Sequence, residues 1–224
     1  MIYDQLPESM KNSDTKTYWD LLSAKRGTLI CKRILDLVLS AVLLVILSPL
    51  MLLLALAVKL DSPGPVFYRQ VRVGKNGKDF KIYKFRTMVQ NADRIGLPLT
   101  SGEDPRITRI GFLIRRMRLD EFSQLLNVLD GSMSLVGPRP EVRRYVKQYA
   151  PEYLSTLLVR PGVTAPASIA FKDEDKILKT GKDPEKIYVE KILPEKMGMD
   201  LKYIRNISIW GDIKILFQTA AAVF

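Results

Sequence analysis

The chain has 224 residues, with 35 Lys or Arg against 24 Asp or Glu for a formal net charge of +11, no histidine and a single cysteine. Those absences exclude Ser-His and Cys-His nucleophiles, histidine general bases, Cys/His zinc sites and intramolecular disulfides. Any catalysis must rest on carboxylates, Lys, Arg, Tyr or hydroxyls, with a hard oxygen-liganded cation such as Mg²⁺ as a compatible metal, and the basic balance asks for an anionic partner: lipid, nucleotide phosphate or nucleic acid.

Residues 1–27 are polar apart from a patch at Tyr18, Trp19, Leu21 and Leu22. They read as a mobile tail ending in an interfacial helix, because Tyr and Trp favour the headgroup zone. An apolar stretch follows from Ile34 to Val58, between Lys32-Arg33 and Lys59. The long polar leader and the lack of a small-residue cleavage site argue that it stays in the mature protein. Its roughly 25 residues could cover a hydrocarbon core of about 30 Å. Pro49 has no N–H for the carbonyl of Val45, so a break is expected at Ser48-Pro49, with the Ser48 hydroxyl available to a freed carbonyl. The separate arms, about 22 Å and about 18 Å long, are too short to span.

Lys25, Arg26, Lys32 and Arg33 precede the stretch, and Lys59, Arg69, Arg72 and Lys75 follow it. Both flanks therefore qualify as cytoplasmic, which a re-entrant helix-break-helix over 28–61 satisfies; a proline-kinked spanning helix is the competing reading. Cys31 reads as a small apolar residue at the membrane edge, with palmitoylation the weaker alternative.

Ser62-Pro63-Gly64-Pro65 makes a stiff exit, and residues 62–224 suit one globular domain. Val66–Val73 and Phe80–Met88 read as a β-hairpin closed by Gly74-Lys75-Asn76-Gly77. Lys84 and Arg86 share a face of its second strand and could together hold a phosphate, a solvated face being the bland alternative. Asn91–Asp104 reads as a connection. Ile107–Leu129 shows helical periodicity, stopped by Asp130-Gly131. Further helices are expected over Glu141–Tyr149, Pro151–Val159, Asp183–Ile192 and from Leu201 to the end, the last lying in the membrane interface or packing in the core. The fold class is α+β, mostly helical, with amphipathic interfacial helices around a small core.

Arg115 to Gln124 is the densest cluster of functional side chains. In a helix the Gln124 amide would reach both Asp120 and Glu121, and the three arginines before them would keep both ionised. One carboxylate could then act as nucleophile, the other as cation ligand. The alternative makes Asp120 an N-cap and Glu121 a first-turn acid. Further on, Arg139 lies between Pro138 and Pro140, a stiff setting for a phosphate contact, although Pro-rich loops also serve as plain connectors.

Four runs in order closely resemble the bacterial sugar transferase family, the monotopic phosphoglycosyl transferases. They are Lys84-Phe85-Arg86-Thr87-Met88; Leu119-Asp120-Glu121 with Gln124-Leu125 and Asn127-Val128-Leu129; Met133 to Pro140 after Gly131; and Arg160-Pro161-Gly162-Val163-Thr164. The resemblance runs from about Lys32 to about Phe217. It implies transfer of a phosphosugar from a UDP-sugar to a polyprenol phosphate such as undecaprenol phosphate, with release of UMP.

By the same resemblance, Asp120 is the nucleophile forming a covalent phosphosugar intermediate and Glu121 is associated with Mg²⁺. Lys84, Arg115 and Arg139 bind phosphate or nucleotide, and Asp200 lies near the site. Ser48-Pro49 matches the family's re-entrant break, and the length matches its small catalytic-core form. Ala165-Pro166-Ala167-Ser168-Ile169 departs from the Gly-x-x-Gln-Val of many members. The implied setting is the bacterial inner membrane with the site on the cytoplasmic face. A non-catalytic scaffold of the same fold and a membrane-tethered nucleic-acid binder are the rival readings, the latter without a recognised module.

Overall fold

The computed structural model describes residues 3–92, 104–178 and 183–223, so most of the expected connection over 91–104 lies outside the described residues. The N-terminal stretch is built into the fold rather than forming a loose tail. Two 3₁₀ turns lead into helix α1 (Ser13–Ala24), whose first turn is capped by the Asn12 side chain accepting from Thr15 N at 2.8 Å. Tyr18, Trp19 and Leu22 are buried in the main core with Leu158 and Ile204. An apolar stripe of this length can be covered by lipid or by protein, and here residues 151–158 and the later helices cover it.

Helix α2 (Arg26–Asp61) is continuous through Pro49. Ser48 Oγ donates to Val45 O at 2.8 Å, the carbonyl that Pro49 cannot serve, so the expected repair is present within an unbroken helix. Its outer side is apolar and bare: Val45 is 75% exposed and Leu60 78%, with Leu52, Leu53 and Leu56 also open. A surface against water rarely carries so continuous a patch.

Both ends of α2 are fastened to the same domain. Near the start, Asp36 accepts from Ser134 Oγ at 2.7 Å and Leu135 N at 3.1 Å, while Lys32 Nζ lies 2.5 Å from Asp212 Oδ2. At the far end, Asp61 Oδ2 accepts from Ile110 N at 3.0 Å and Val58 packs with Phe85 and Ile114.

Strands β1 (Phe67–Val73) and β2 (Asp79–Phe85) form the expected hairpin, in register from Phe67 opposite Phe85 to Val73 opposite Asp79. Asn76 and Gly77 at the turn take φ of 57° and 70°, the left-handed conformation that the Asn-Gly pair tolerates. The long helix expected over 107–129 is divided into α3 (Arg109–Arg116), a 3₁₀ segment (Leu119–Gln124) and α4 (Leu125–Asp130). The division falls at Arg118, whose φ is 54°. Hydrophobic periodicity alone does not register such a backbone reversal, because the apolar side chains on both sides still face the core. Gly131, with φ of 90°, ends α4 where Asp130-Gly131 announced a stop.

A second, unexpected sheet pairs β3 (Ser134–Val136) in parallel with β4 (Gly162–Thr164), joining two of the four sequence runs. Close approach explains the glycines: a Cβ on Gly162 would stand 2.1 Å from Gly137 N, and one on Gly137 2.6 Å from Arg160 O. Helix α5 (Arg143–Val146) and a 3₁₀ segment (Pro151–Leu158) lie between these strands. After them come α6 (Pro166–Ala170), α7 (Glu174–Leu178), α8 (Pro184–Ile187), α9 (Leu193–Arg205) and α10 (Ile209–Val223). The two readings of the last helix divide between its faces: Asp212 and Ile215 are buried, whereas Trp210 is 81% exposed. The result is a mostly helical domain with two small sheets and one long apolar helix.

Candidate active site

Lys84 and Arg86 part company despite their shared parity. Lys84 Nζ lies 2.9 Å from Glu121 Oε1 and 3.4 Å from Asp120 Oδ2. Arg86, just beyond the end of β2, is buried and donates to the backbone carbonyls of Val58, Ser62 and Pro65 and to the Ser62 hydroxyl. Its guanidinium is thus spent on tying the end of α2 to the hairpin, which corrects the expectation of a phosphate ligand. Side-chain alternation sets a face only while strand geometry persists.

The dyad sits in the first turn of the 3₁₀ segment, immediately after the left-handed Arg118, which is held by donation to Lys172 O. A non-glycine residue at such a φ costs about 1 kcal/mol or more, and strain of this kind gathers at sites that need a particular side-chain direction. The segment carries no side-chain cap, so Asp120 is not an N-cap. With about three residues per turn, Gln124 no longer stacks on Asp120 four positions back, so one amide cannot reach both carboxylates. Accordingly Gln124 does not bridge the carboxylates: it is 1% exposed and its Nε2 has no partner among the described residues.

Glu121 is the clamped member of the pair. Its Oε1 receives Lys84 and also Arg139 Nη2 at 2.6 Å. Burial alone would raise its carboxyl, but Arg139 and Lys84 outweigh that and hold it well below the usual range; Glu121 raises Arg139 in return. Among the described residues Asp120 has only the long Lys84 contact on one oxygen, so a lone pair on Oδ1 stays available. The backbone around Arg139 is fixed on both sides, since Pro138 O accepts from Gly162 N at 2.9 Å and Pro140 O from Arg72 Nη1 at 3.1 Å.

These groups open onto a cleft of about 630 Å³. Its lining counts eight basic residues (Arg72, Lys84, Arg115, Arg116, Arg118, Arg139, Lys172, Lys196) against five acidic ones (Asp120, Glu121, Glu141, Asp173, Glu174), a balance suited to a pyrophosphate. Arg115 lies on this lining. Asp200 is not on the lining: it is buried on α9, one turn beyond Lys196. Burial pushes its carboxyl up to about 7, against a lowering pull from Lys196.

The far wall was not foreseen. Tyr188 Oη donates to Glu141 Oε1, and Arg72 Nη1 lies 3.7 Å from Glu141 Oε2. Glu141 directly follows Pro138-Arg139-Pro140, the one sequence cue that could have found it. The buried set of Lys32, Asp36 and Asp212 was also missed, although a charge pair four apart at the head of an apolar helix is a strong cue.

Among the described residues no group of three or more His, Cys, Asp or Glu could cage a metal. Glu121 Oε2 and Asp120 Oδ1, however, have no described partner. Two adjacent carboxylates suit a cation such as Mg²⁺, which keeps its waters and takes most of its protein-side charge from one or two acids and substrate phosphates.

The sequence model of the family described as bacterial sugar transferase matches residues 27–224. Over 200 residues the chain is 40% identical to a UDP-N-acetylgalactosamine-undecaprenyl-phosphate N-acetylgalactosaminephosphotransferase of Aeromonas hydrophila, covering 86% of this chain and 43% of that protein. It is 42% identical over 192 residues to a UDP-glucose:undecaprenyl-phosphate glucose-1-phosphate transferase of Escherichia coli K12, covering 84% and 39%. An exopolysaccharide production protein PSS of Rhizobium leguminosarum bv. phaseoli is 40% identical over 202 residues, covering 87% and 95%. The chain thus spans about two fifths of the first two relatives and nearly all of the third. On the match over 27–224 and these identities, the chain belongs to the bacterial sugar transferase family.

Proposed function

We propose that this protein transfers a sugar 1-phosphate from a UDP-sugar to a polyprenol phosphate, with Asp120 as nucleophile. The observation that carries this reading is the asymmetry of the dyad: Glu121 is neutralised by Lys84 and Arg139, while Asp120 Oδ1 remains open to the basic cleft. The relatives' names supply the substrate class, UDP-sugars and undecaprenyl phosphate.

In the first step a lone pair of Asp120 Oδ1 attacks the β-phosphorus, and the bond from that phosphorus to the bridging oxygen breaks with its electrons leaving on UMP. In the second, an oxygen of the polyprenol phosphate attacks the same phosphorus and the aspartate carboxylate departs, giving a polyprenyl diphosphosugar. Lys84 and Arg139 hold Glu121 ionised, and Arg115 supplies positive charge on the cleft wall for phosphate oxygens. Glu121 would hold an Mg²⁺ ion, which when bound would supply positive charge for the phosphate oxygens.

The re-entrant reading of α2 belongs to the same proposal. Its two ends are bonded to one domain, at Asp36 and Asp61, which supports both lying on one side of the membrane. Basic flanks on both sides favour the cytoplasmic side of the inner membrane. The soluble nucleotide sugar and the lipid phosphate could then meet at Asp120.

Incubating the detergent-solubilised protein with a panel of UDP-sugars, without acceptor, should leave a sugar-phosphate mass increment on the peptide containing Asp120. Adding polyprenol phosphate should remove it and release product. A folded Asp120→Asn variant that still turned over normally would refute the assignment.

A further inference from the structure

A second basic cavity lies at the start of α2, with a volume of about 50 Å³, and it shares no lining residue with the catalytic cleft. Lys32, Arg33, Lys75 and Arg160 supply its cations, and Asp36 is its one acid. Both oxygens of Asp36 are taken by Ser134 Oγ and Leu135 N, and Lys32 is committed to Asp212. None of the other three cations makes an ion pair among the described residues, although Arg160 is within electrostatic reach of the already engaged Asp36. Among the described residues Arg33 donates only to Met133 O at 3.2 Å and Arg160 only to Gly131 O at 2.8 Å. Lys75, at the tip of the hairpin, has no partner for its Nζ among the described residues.

Gathering three half-buried cations around one carboxylate whose oxygens are already engaged is unfavourable unless a further anion joins them. The space is several times the about 10–15 Å³ that one water occupies, and a tetrahedral oxyanion suits it. Burial, followed by the neighbouring Arg160, lowers the Lys75 ammonium to about 8, consistent with a site short of negative charge.

Position points to the source of that anion. Ile30 and Ile34, next to the cavity's Lys32 and Arg33, are more than half exposed and begin the bare apolar side of α2. A lipid whose chains lay along that side would bring its phosphate to the cavity. The acceptor phosphate must instead reach Asp120, in the other cleft.

We infer that Arg33, Lys75 and Arg160 form a binding site for the phosphate of an anionic phospholipid headgroup, separate from the catalytic cleft. The inference rests on α2 lying in the membrane and not on the reaction at Asp120.

The test compares the full-length protein with Lys75→Gln and Lys75→Arg variants on vesicles of pure phosphatidylcholine and on vesicles containing phosphatidylglycerol. Pure phosphatidylcholine reports the embedding of α2 alone, and all three proteins should bind it equally. Phosphatidylglycerol should tighten the wild type and Lys75→Arg, with Lys75→Gln about fivefold weaker, the factor expected for one basic contact at a lipid surface. Millimolar inorganic phosphate should not compete. UMP release on phosphatidylcholine should be unchanged in Lys75→Gln.

Equal tightening of Lys75→Gln and wild type would overturn the site. Full competition by inorganic phosphate would make it a free-phosphate site, and displacement by polyprenol phosphate at equimolar lipid would make it an acceptor site, either of which overturns the phospholipid assignment. Failure of the wild type to bind phosphatidylcholine would overturn the embedding on which the inference rests. Loss of turnover in every variant would count against the reaction and leave the binding result standing.

Discussion

The dyad and the root of α2 use the same residue types to opposite ends. At the root, both oxygens of Asp36 and both of Asp212 are engaged, by Ser134, Leu135, Lys32 and Tyr203, and the carboxylates are buried. At the dyad, one oxygen of each carboxylate faces an open cleft without a described partner. A buried carboxylate whose acceptor capacity is full fixes structure, whereas one left with a lone pair beside cations can react. The contrast lies in saturation and access, not in charge.

The largest expected effect sharpens that contrast. Asp120→Asn should reduce UMP release by about a thousandfold or more, as for loss of a covalent nucleophile, and leave the melting temperature in place. Asp36→Ala should do the reverse in kind. It leaves the Leu135 N–H without its acceptor in the interior while Lys32 keeps Asp212, and destabilisation of about 1–3 kcal/mol should follow in denaturant titration. A variant pair in which Asp36→Ala melted normally but lost turnover would break the distinction.

Asp200 offers a third case, a buried acid with Oδ1 unpartnered among the described residues. Its folded value of about 7 lies above its ordinary 3.8, so the folded state binds the extra proton between those limits and stability falls as pH rises across them. Asp200→Asn should therefore raise the melting temperature at pH 8 by several degrees, and the gain should vanish below about pH 4. A gain independent of pH would show that ionisation is not its source. The smallest effect belongs to Ser48→Ala, which removes the bond to Val45 O and should cost about 0.6–1 kcal/mol of stability in bilayers or detergent. Unchanged unfolding of that variant would mean the carbonyl finds another donor.

The sequence announced what repeats locally. The hairpin with its Asn-Gly turn, the stop at Gly131, the apolar helix and the Ser48 repair all follow from residue chemistry within a few positions. What it concealed was long-range or backbone-borne. The pairing of β3 with β4 joins residues nearly thirty positions apart through strands of three residues, too short for a periodic signal. The reversal at Arg118 breaks a helix whose hydrophobic pattern continues undisturbed. Arg86 and Gln124 were assigned by parity and spacing, rules that hold only inside the regular element, and both sit where the element has ended or tightened. Asp36 was overlooked because one acid hardly alters the character of an apolar run, yet it carries the contact that seats the helix.

Arg86 has a mechanical consequence. It clasps the last turn of α2 and the exit loop by four acceptors, and Lys84 stands two residues earlier, near the end of β2, about 7 Å along the chain. The lever between anchor and dyad is therefore short and stiff. On the proposed seating of α2 in the membrane, a bilayer that lifted or tilted the helix would carry Lys84 with it, so the proposed transfer at Asp120 should vary with the thickness of the surrounding lipid.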